Sequence, residues 1–537
     1  MRFVGNSVKK LLNRLSHWIN LSTFITLILV APIIVIVINA LGTQSDTLIH
    51  LKETVLSDYI INTLILLLTV SFLALFFGVG GAYFVTFYDF KFSKFFGIVL
   101  VLPFLIPSYI LGFVYSDIFG FYGVVHLFVM DMGIKNYFDI LNMNSVIVIL
   151  SLALYPYIYL IVKASFSKNS SFLLNPALSL GAGRLKIFYR VILPLSRPAI
   201  IGALSLVMME TISEYGLVKY YGVDTLSTAV FTAWFGLNDP NSAAYISTIA
   251  MVMVFTILIV EKLNRGSAKY KIESISAPIK KNKLSIIGQI GVISFLAIPF
   301  IFGFMIPIIW ILFYSFEHYI LIIENEFVIT VINSFVAAFI SAFIIMSVAI
   351  LLGYTARVFD NGYMKYLLKV ATLGYSIPGA VIAVGIIILS SSIDNYFIEH
   401  FKIDGLLLGG TLFILCFGYT ARFLAVGLNS VESSFEKIGF GVNKASRSLN
   451  KSLFQTLIKI DLPLIKGGVL AGFILVFIDI LKELPATLIL RPFNYDTLAT
   501  KTYELASIEM VQESSIYALC IVVVSIIPII FILRNYK

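Results

Sequence analysis

The chain has 537 residues, a formal net charge of +9 and a very apolar composition. Hydrophobic residues make up 59% and charged residues 12%, whereas soluble domains average about 45–50% and about 25%. A water-soluble fold of this length has too little interior to hide so much apolar surface. The composition therefore excludes a soluble protein and predicts an all-α, polytopic membrane protein.

Twelve apolar segments are long enough to cross the membrane hydrocarbon, which takes about 20 helical residues. They lie near residues 21–41, 61–87, 95–118, 145–163, 198–216, 243–260, 286–315, 328–355, 364–391, 405–423, 467–490 and 515–533. Most of the 38 Lys and Arg residues fall in segments that become cytoplasmic if the N-terminus is inside. We predict an uncleaved first span, a bacterial inner (cytoplasmic) membrane location with both termini cytoplasmic, and no nucleic-acid partner.

The twelve predicted spans fall into two related sets of six. Asn62 and Asn333 are 271 residues apart, and so are Pro107 and Pro378. Six is an even number, so both sets enter the membrane in the same direction, which predicts pseudo-twofold symmetry about the membrane normal. The predicted domains are a first half (1–260), a cytoplasmic linker (261–285) and a second half (286–537).

A similar loop follows the fourth span of each half, over about 164–197 and about 424–466. Each is predicted to contain a short helix, a turn, a second short helix and a proline that stops it. Gly181 and Asn450 occupy the turns, and both residue types tolerate the left-handed backbone conformation. Apolar residues on this basic surface suit docking into a groove of a partner protein. Those expected to be exposed are Leu180, Phe188, Leu449 and Leu457.

Both loops resemble the coupling loop of ABC-importer permeases, which has a Glu-Ala-Ala, three further residues, Gly and a later Leu-Pro. Asn175 and Lys444 depart from the family's Glu. The residues that this resemblance assigns to ATPase coupling are Ala177, Gly181, Leu193, Pro194, Ala445, Asn450, Leu462 and Pro463.

The stretch from Lys482 to Pro492 and the Asp496-Thr-Leu-Ala-Thr that follows it are similar to fused two-half permeases for ferric iron. The resemblance implies two tandem six-helix permease halves that import iron by alternating access. It also implies two partners, a periplasmic ferric-ion-binding protein and a cytoplasmic ABC ATPase homodimer. The sequence has no Gly-x4-Gly-Lys-Ser/Thr phosphate loop. We therefore expect no cofactor and no enzymatic activity in this chain, with ATP hydrolysed by the separate partner.

Two pairs of acidic residues lie deep in corresponding spans. Glu210 and Glu214 belong to the fifth span, and Asp479 and Glu483 to the eleventh, with an offset of 269. Residues four apart share a helix face, and ionisable groups inside a membrane usually face a cavity or a partner. We predict a ring of four carboxylates that forms a cation pathway, since hard oxygen ligands suit hard cations. Further oxygen donors are expected from Tyr215, Tyr220 and Tyr221.

Other interpretations of these features remain open at this point. In one alternative the acids pair structurally with Lys482 and Arg491, and in another they contact the binding protein. Alternative cargoes are thiamine, a polyamine, an organophosphonate or another small cation. An ion-coupled secondary transporter also commonly has six plus six spans. An integral membrane enzyme is disfavoured, because no catalytic constellation and no metal-ligand spacing stands out.

Overall fold

The computed structural model describes residues 2–42, 45–133, 139–179, 183–265, 281–403, 405–439 and 441–535, and nearly all of these are helical. The helices of the first half are α1 (Arg2–Ala40), α2 (Asp46–Thr54), α3 (Leu56–Phe87), α4 (Ser93–Val99), α5 (Ser108–Phe119), α6 (Val124–Asp131), α7 (Met143–Ser179), α8 (Arg184–Ile187), α9 (Leu193–Ser213), α10 (Gly216–Tyr220), α11 (Leu226–Phe231) and α12 (Pro240–Arg265). The helices of the second half are α13 (Ile286–Phe300), α14 (Ile306–Glu317), α15 (Asn325–Val358), α16 (Gly362–Ala371), α17 (Gly379–Phe401), α18 (Leu412–Glu436), α19 (Gly441–Ser448), α20 (Leu453–Thr456), α21 (Leu462–Lys482), α22 (Pro485–Leu490), α23 (Leu498–Ser507) and α24 (Val511–Asn535). Strands β1 (Tyr88–Asp89) and β2 (Asn282–Lys283) form one short parallel pair.

Eleven helical segments in the described ranges are long and apolar enough to cross a membrane. They confirm the predicted all-α, polytopic membrane class. The twelfth predicted span, 515–533, lies in α24. The apolar segment described there, Val511–Ile527, is one of the shorter apolar helices of 10–17 residues and is not counted among the eleven. The count of twelve spans is therefore not confirmed.

The third and ninth spans are broken rather than continuous, which corrects their predicted ranges of 95–118 and 364–391. Helix α4 is followed by a 3-10 turn, and the chain is extended at Ile106 before Pro107. Helix α16 is followed in the same way by extended Ile377 and then Pro378. Proline lacks an N–H and disfavours the helical conformation in the residue before it. Helices α5 and α17 therefore begin immediately after these prolines.

The tenth span begins later than its predicted range of 405–423, since α18 starts at Leu412. Buried Asp394, in the C-terminal part of α17, explains this later start. Its carboxylate accepts hydrogen bonds from the backbone N–H groups of residues 407–409 at 2.8–3.1 Å. These donors are satisfied without a helix, so the segment forms an ordered turn instead.

The first helix of each half packs against the other half. Helix α1 contacts α12 of its own half and also α16 and α17 of the second half. Trp18 meets Tyr354 edge-on with ring centroids 5.6 Å apart. Gly385 of α17 approaches α1 so closely that a Cβ there would lie 2.5 Å from the Pro32 carbonyl oxygen. The order of the spans in the sequence did not indicate that the first helix of one half would pack against the other half.

Helices α13 and α14 make the reciprocal contacts with the first half. Phe295 packs against Phe76 and Phe77, with ring centroids 5.2 and 5.9 Å apart. The indole Nε1 of Trp310 donates a hydrogen bond of 2.8 Å to Asp117 of α5. Each half is thus held by the first helical segment of the other, and the two halves form one interlocked body.

The prolines of the two loops do not stop a helix, contrary to prediction. Pro194 and Pro463 are the second residues of α9 and α21, and each follows one π-helical turn. The N–H groups of Leu193 and Leu462 bond to carbonyls five residues back. A π turn accommodates the missing proline donor and the bulk of its ring while the helix continues.

We expect Gly385→Ala to destabilise the contact between α1 and α17, because the added methyl group overlaps the Pro32 carbonyl. Overpacking of this kind costs about 1–3 kcal/mol, and it should lower the thermal unfolding temperature in detergent. Gly291→Ala is the matched control, since nothing lies within 4 Å of its Cβ position. Equal unfolding temperatures for the two variants would contradict the interlocked arrangement.

Candidate functional site: an acidic cavity between the halves

The four predicted carboxylates sit where α9 and α21 end, but not as two pairs on helix faces. Helix α9 ends at Ser213 and α21 ends at Lys482, so Glu214 and Glu483 have extended backbones. This corrects the prediction that residues four apart share a face. The side chain of Glu214 accepts a hydrogen bond from Leu217 N–H at 2.9 Å, and that of Glu483 from Ala486 N–H at 3.1 Å.

All four carboxylates line one cavity of about 150 Å³ between the two halves. Its wall includes the broken segments that precede α5 and α17, and the starts of α10 and α22. Glu210, Glu214 and Asp479 are partly exposed in it. The structure therefore brings the four predicted acids together in one cavity. Other polar lining residues are Ser108, Tyr109, Tyr157, Ser213, Tyr215, Tyr375, Arg422 and Lys482.

A buried ion pair holds Glu483 in the second half. The Nε atom of Arg422 lies 3.1 Å from a Glu483 carboxylate oxygen, and both side chains are less than a tenth exposed. Gly379 makes room for the pair, since a Cβ there would lie 2.6 Å from each side chain. The buried guanidinium thus compensates the buried carboxylate, which otherwise carries a large desolvation cost.

Lys482 provides the second positive charge in the cavity wall. Its Nζ donates a 3.0 Å hydrogen bond to the Phe104 carbonyl and lies 4.9 Å from the centre of the Phe104 ring. It also interacts electrostatically with Asp479. Each acid of the second half therefore has a cation of the second half nearby.

In the first half, a hydrogen-bond donor takes the place of the cation beside Glu214. Ser108, which corresponds to Gly379 at an offset of 271 residues, donates a hydrogen bond from its hydroxyl to Glu214. At the offset of 269 that relates α9 to α21, Ala153 corresponds to Arg422 and Ser213 to Lys482. Both cations in the described part of the cavity wall consequently come from the second half.

Several predicted side chains lie elsewhere. Arg491 forms ion pairs with Asp496 and Glu504 rather than with the four acids. Tyr215 lines the cavity. Tyr220 instead accepts a hydrogen bond from Ser116 at 3.1 Å, and Tyr221 donates one to the Gly112 carbonyl at 2.9 Å.

Sequence reasoning missed Arg422, Tyr109, Tyr157 and Tyr375 as cavity residues. A signal for Arg422 was present, because a lone basic residue in an apolar segment is a default functional candidate. The tyrosines gave none, since tyrosine also occurs throughout the core. Within the described ranges, no three His, Cys, Asp or Glu side chains are grouped closely enough to hold a metal ion.

The predicted coupling residues lie at the start of α9 and α21 and in the segments that precede them. Leu193 and Pro194 begin α9, and Leu462 and Pro463 begin α21. Ala177 belongs to α7, whereas Gly181 and Leu180 lie outside the described residues.

The turn of the second loop has the predicted backbone conformation. Asn450 has a φ of 60° and separates α19, which contains Ala445, from α20. Leu449 beside it is 74% exposed, as predicted, whereas Leu457 is buried because it belongs to the π turn that packs into the body. The side-chain amide of Asn443 donates a 2.8 Å hydrogen bond to Asp461, which ties α19 to the base of α21.

We expect Arg422→Met to reduce the yield of folded protein, because it leaves the Glu483 carboxylate buried without its cation. Breaking such a pair costs about 3–5 kcal/mol. Adding Glu483→Gln should restore most of the yield, since the double variant buries no charge at this point. The measurement is fluorescence-detected size exclusion of tagged protein, and a double variant as poor as the single one would contradict a simple charge-pair role.

Comparisons with known proteins match this architecture. Residues 72–265 match the family described as binding-protein-dependent transport system inner membrane component. The Fe(3+)-transport system permease protein FbpB 2 of Haemophilus influenzae is 26% identical over 494 residues, which cover 90% of each chain. The ferric transport system permease protein FbpB of Actinobacillus pleuropneumoniae is 21% identical over 76% of this chain, and the match spans 61% of that protein. The spermidine/putrescine transport system permease protein PotB of Haemophilus influenzae is 32% identical over 126 residues, 23% of this chain and 44% of its own.

The family match runs from the middle of α3 to the end of α12, and the first relative extends the similarity across both halves. The relatives are transport permease subunits, and the interlocked helical halves suit that task. Residues 72–265 thus match the family of binding-protein-dependent transport system inner membrane components, and the similarity to a ferric transport permease extends across both halves of the chain.

Proposed function

We propose that this chain is a two-half permease of an ATP-driven importer of ferric iron. The observation that carries the proposal is the similarity to an Fe(3+)-transport permease over 90% of both chains. A match of that extent includes both loops, both broken spans and all four cavity acids. It leaves the common six-plus-six secondary transporter as the less supported alternative.

The chemistry of the cavity supports a cationic cargo. Four carboxylates and two cations line it, so acidic groups outnumber basic ones. Carboxylate and phenol oxygens are hard ligands that suit a hard cation such as ferric iron. The absence of a three-residue chelating group in the described ranges fits a passage, because transport requires that the cation leave again.

The proposal includes two partners. A binding protein delivers the ion on the outer face, and two copies of a cytoplasmic ABC ATPase supply energy. The exposed Leu449 beside the Asn450 turn offers an apolar contact for one ATPase copy. The proposal also assigns this loop and both termini to the cytoplasmic side of a bacterial inner membrane, because basic residues favour that side.

The cargo is tested by uptake of radiolabelled ferric iron in iron-starved cells with and without this chain. We expect deletion to abolish the iron uptake that depends on the binding protein, and the intact gene to restore it. Labelled thiamine and spermidine are run in parallel. Unchanged iron uptake with loss of either other cargo would overturn the iron assignment and keep the importer architecture.

The docking role of the second loop is tested at its left-handed turn. Asn450→Val should prevent co-purification of the ATPase, because a left-handed conformation costs residues other than glycine about 1–2 kcal/mol, and a β-branched side chain is especially unsuited to it. Asn450→Gly is the matched control, since glycine adopts positive φ without strain. Equal ATPase recovery with both variants, at equal membrane levels, would argue against docking through this turn.

A further inference from the structure

A groove of about 170 Å³ lies where α1 of the first half meets α15 and α18 of the second. Seven of its nine lining side chains are aliphatic or aromatic, and the other two are Cys416 and Thr420. The Thr420 hydroxyl donates a 2.8 Å hydrogen bond to the Cys416 carbonyl of its own helix, and a buried cysteine behaves as a small hydrophobe. The groove therefore suits a hydrocarbon group rather than a water molecule or an ion, which need several polar partners.

The groove opens toward the bilayer. Three of its lining residues, one on each helix, are well exposed: Ile28 by 42%, Ile344 by 38% and Phe413 by 64%. Helices α1, α15 and α18 are each long and apolar enough to cross a membrane. Exposed Phe24 and Phe343 extend the apolar surface beyond the groove along α1 and α15. The groove is therefore continuous with the surface that lipid acyl chains cover.

Packing favours filling this space. Protein interiors are about as dense as organic crystals, and a gap deprives its lining of dispersion contacts. Those contacts matter most inside a membrane, because lipid is as apolar as the side chains and no hydrophobic force holds the helices together. Helix α1 meets α17 closely at Gly385 but leaves the groove between itself and the pair of α15 and α18. An apolar occupant of the groove thus strengthens the contact between α1 and the second half.

The size of the groove determines which occupant fits. An apolar cavity of about 150 Å³ can hold a benzene molecule, so this groove of about 170 Å³ has room for several methylene groups. A helix of a partner protein, or of a second copy of this chain, is about 10–12 Å across with its side chains and is too wide to enter. A single acyl chain is the narrow, flexible apolar group that the bilayer supplies.

We propose that one acyl chain of a bilayer phospholipid occupies this groove and completes the packing of α1 against the second half. The phospholipid is then a bound structural ligand of the interlocked halves, unlike the lipids that only surround the protein. The proposal goes beyond the proposed function and is independent of the cargo, because the groove and the acidic cavity share no lining residue.

The first test fills the groove with a protein side chain. Val348→Phe places a ring where the acyl chain lies, so it should displace the phospholipid that the wild type retains. Val336→Phe is the matched control, since it makes the same change in α15 at a position that is 40% exposed and does not line the groove. Native mass spectrometry of protein purified in mild detergent should find one bound phospholipid per chain in the wild type and in Val336→Phe. Occupancy in Val348→Phe should be about tenfold lower.

Two results of this experiment would overturn the proposal. One is a wild type that retains no phospholipid. The other is equal occupancy in the wild type and in a Val348→Phe variant that matches it in size exclusion.

The second test locates the lipid and does not require Val348→Phe to fold. Phe413→Trp places an indole at the rim of the groove, and Phe343→Trp places one on α15 outside it. The native rings at these positions are 64% and 63% exposed, so the two reporters are matched. Delipidated protein in detergent is titrated with phosphatidylcholine brominated on an acyl chain, which quenches nearby indoles, and the signal of the three native tryptophans is subtracted.

Phe413→Trp should reach half-maximal quenching at an about tenfold lower lipid concentration than Phe343→Trp, as expected for a bound acyl chain rather than a surrounding one. Half-maximal quenching of both variants at the same concentration would show that the groove binds no lipid of its own.

Discussion

A carboxylate inside a membrane bundle is stable only where nearby charges or hydrogen bonds replace its water. The centre of this protein is arranged by that requirement. Glu214 and Glu483 each accept an N–H from the helix that follows them, and so α9 and α21 must end where they do. The turns that result place α10 and α22 across the cavity wall. The positions of the acids and the course of the backbone therefore depend on the same hydrogen bonds.

The broken third and ninth spans also help to compensate these carboxylates, from another part of the cavity wall. Pro107 and Pro378 end the preceding segments, so α5 and α17 start at the level of the cavity. A helix N-terminus carries partial positive charge, and in each half it lies beside the acid that needs compensation, through Ser108 or Gly379. The first residue of each helix, Ser108 in α5 and Gly379 in α17, then determines how the nearby acid is compensated. Serine donates a hydrogen bond directly, whereas glycine admits a guanidinium.

The sequence predicted the membrane class, the internal repeat and the clustering of the four acids, because each depends on composition or on spacing along the chain. It did not predict the local geometry at Glu214 and Glu483. Helix periodicity cannot show where a side chain will accept a hydrogen bond from a backbone N–H of the next helix. The π turns before Pro194 and Pro463 were missed for a similar reason. A proline signals that a helix is interrupted, but not whether it stops or continues with a wider turn. The role of Arg422 depends on a contact with a residue 61 positions away, and no local pattern encodes such a contact.

The exchange of first helices has a consequence for how the chain is made. Pro32 of α1 meets Gly385 of α17, so roughly 350 residues must be synthesised before α1 finds that partner. At about 5–20 residues per second, translation of this interval takes roughly 20–70 seconds. During that time α1 is already long and apolar enough to reside in the bilayer, and the partners it can find, such as α12, belong to its own half. The face of α1 that meets α17 therefore stays exposed to lipid until the second half is made.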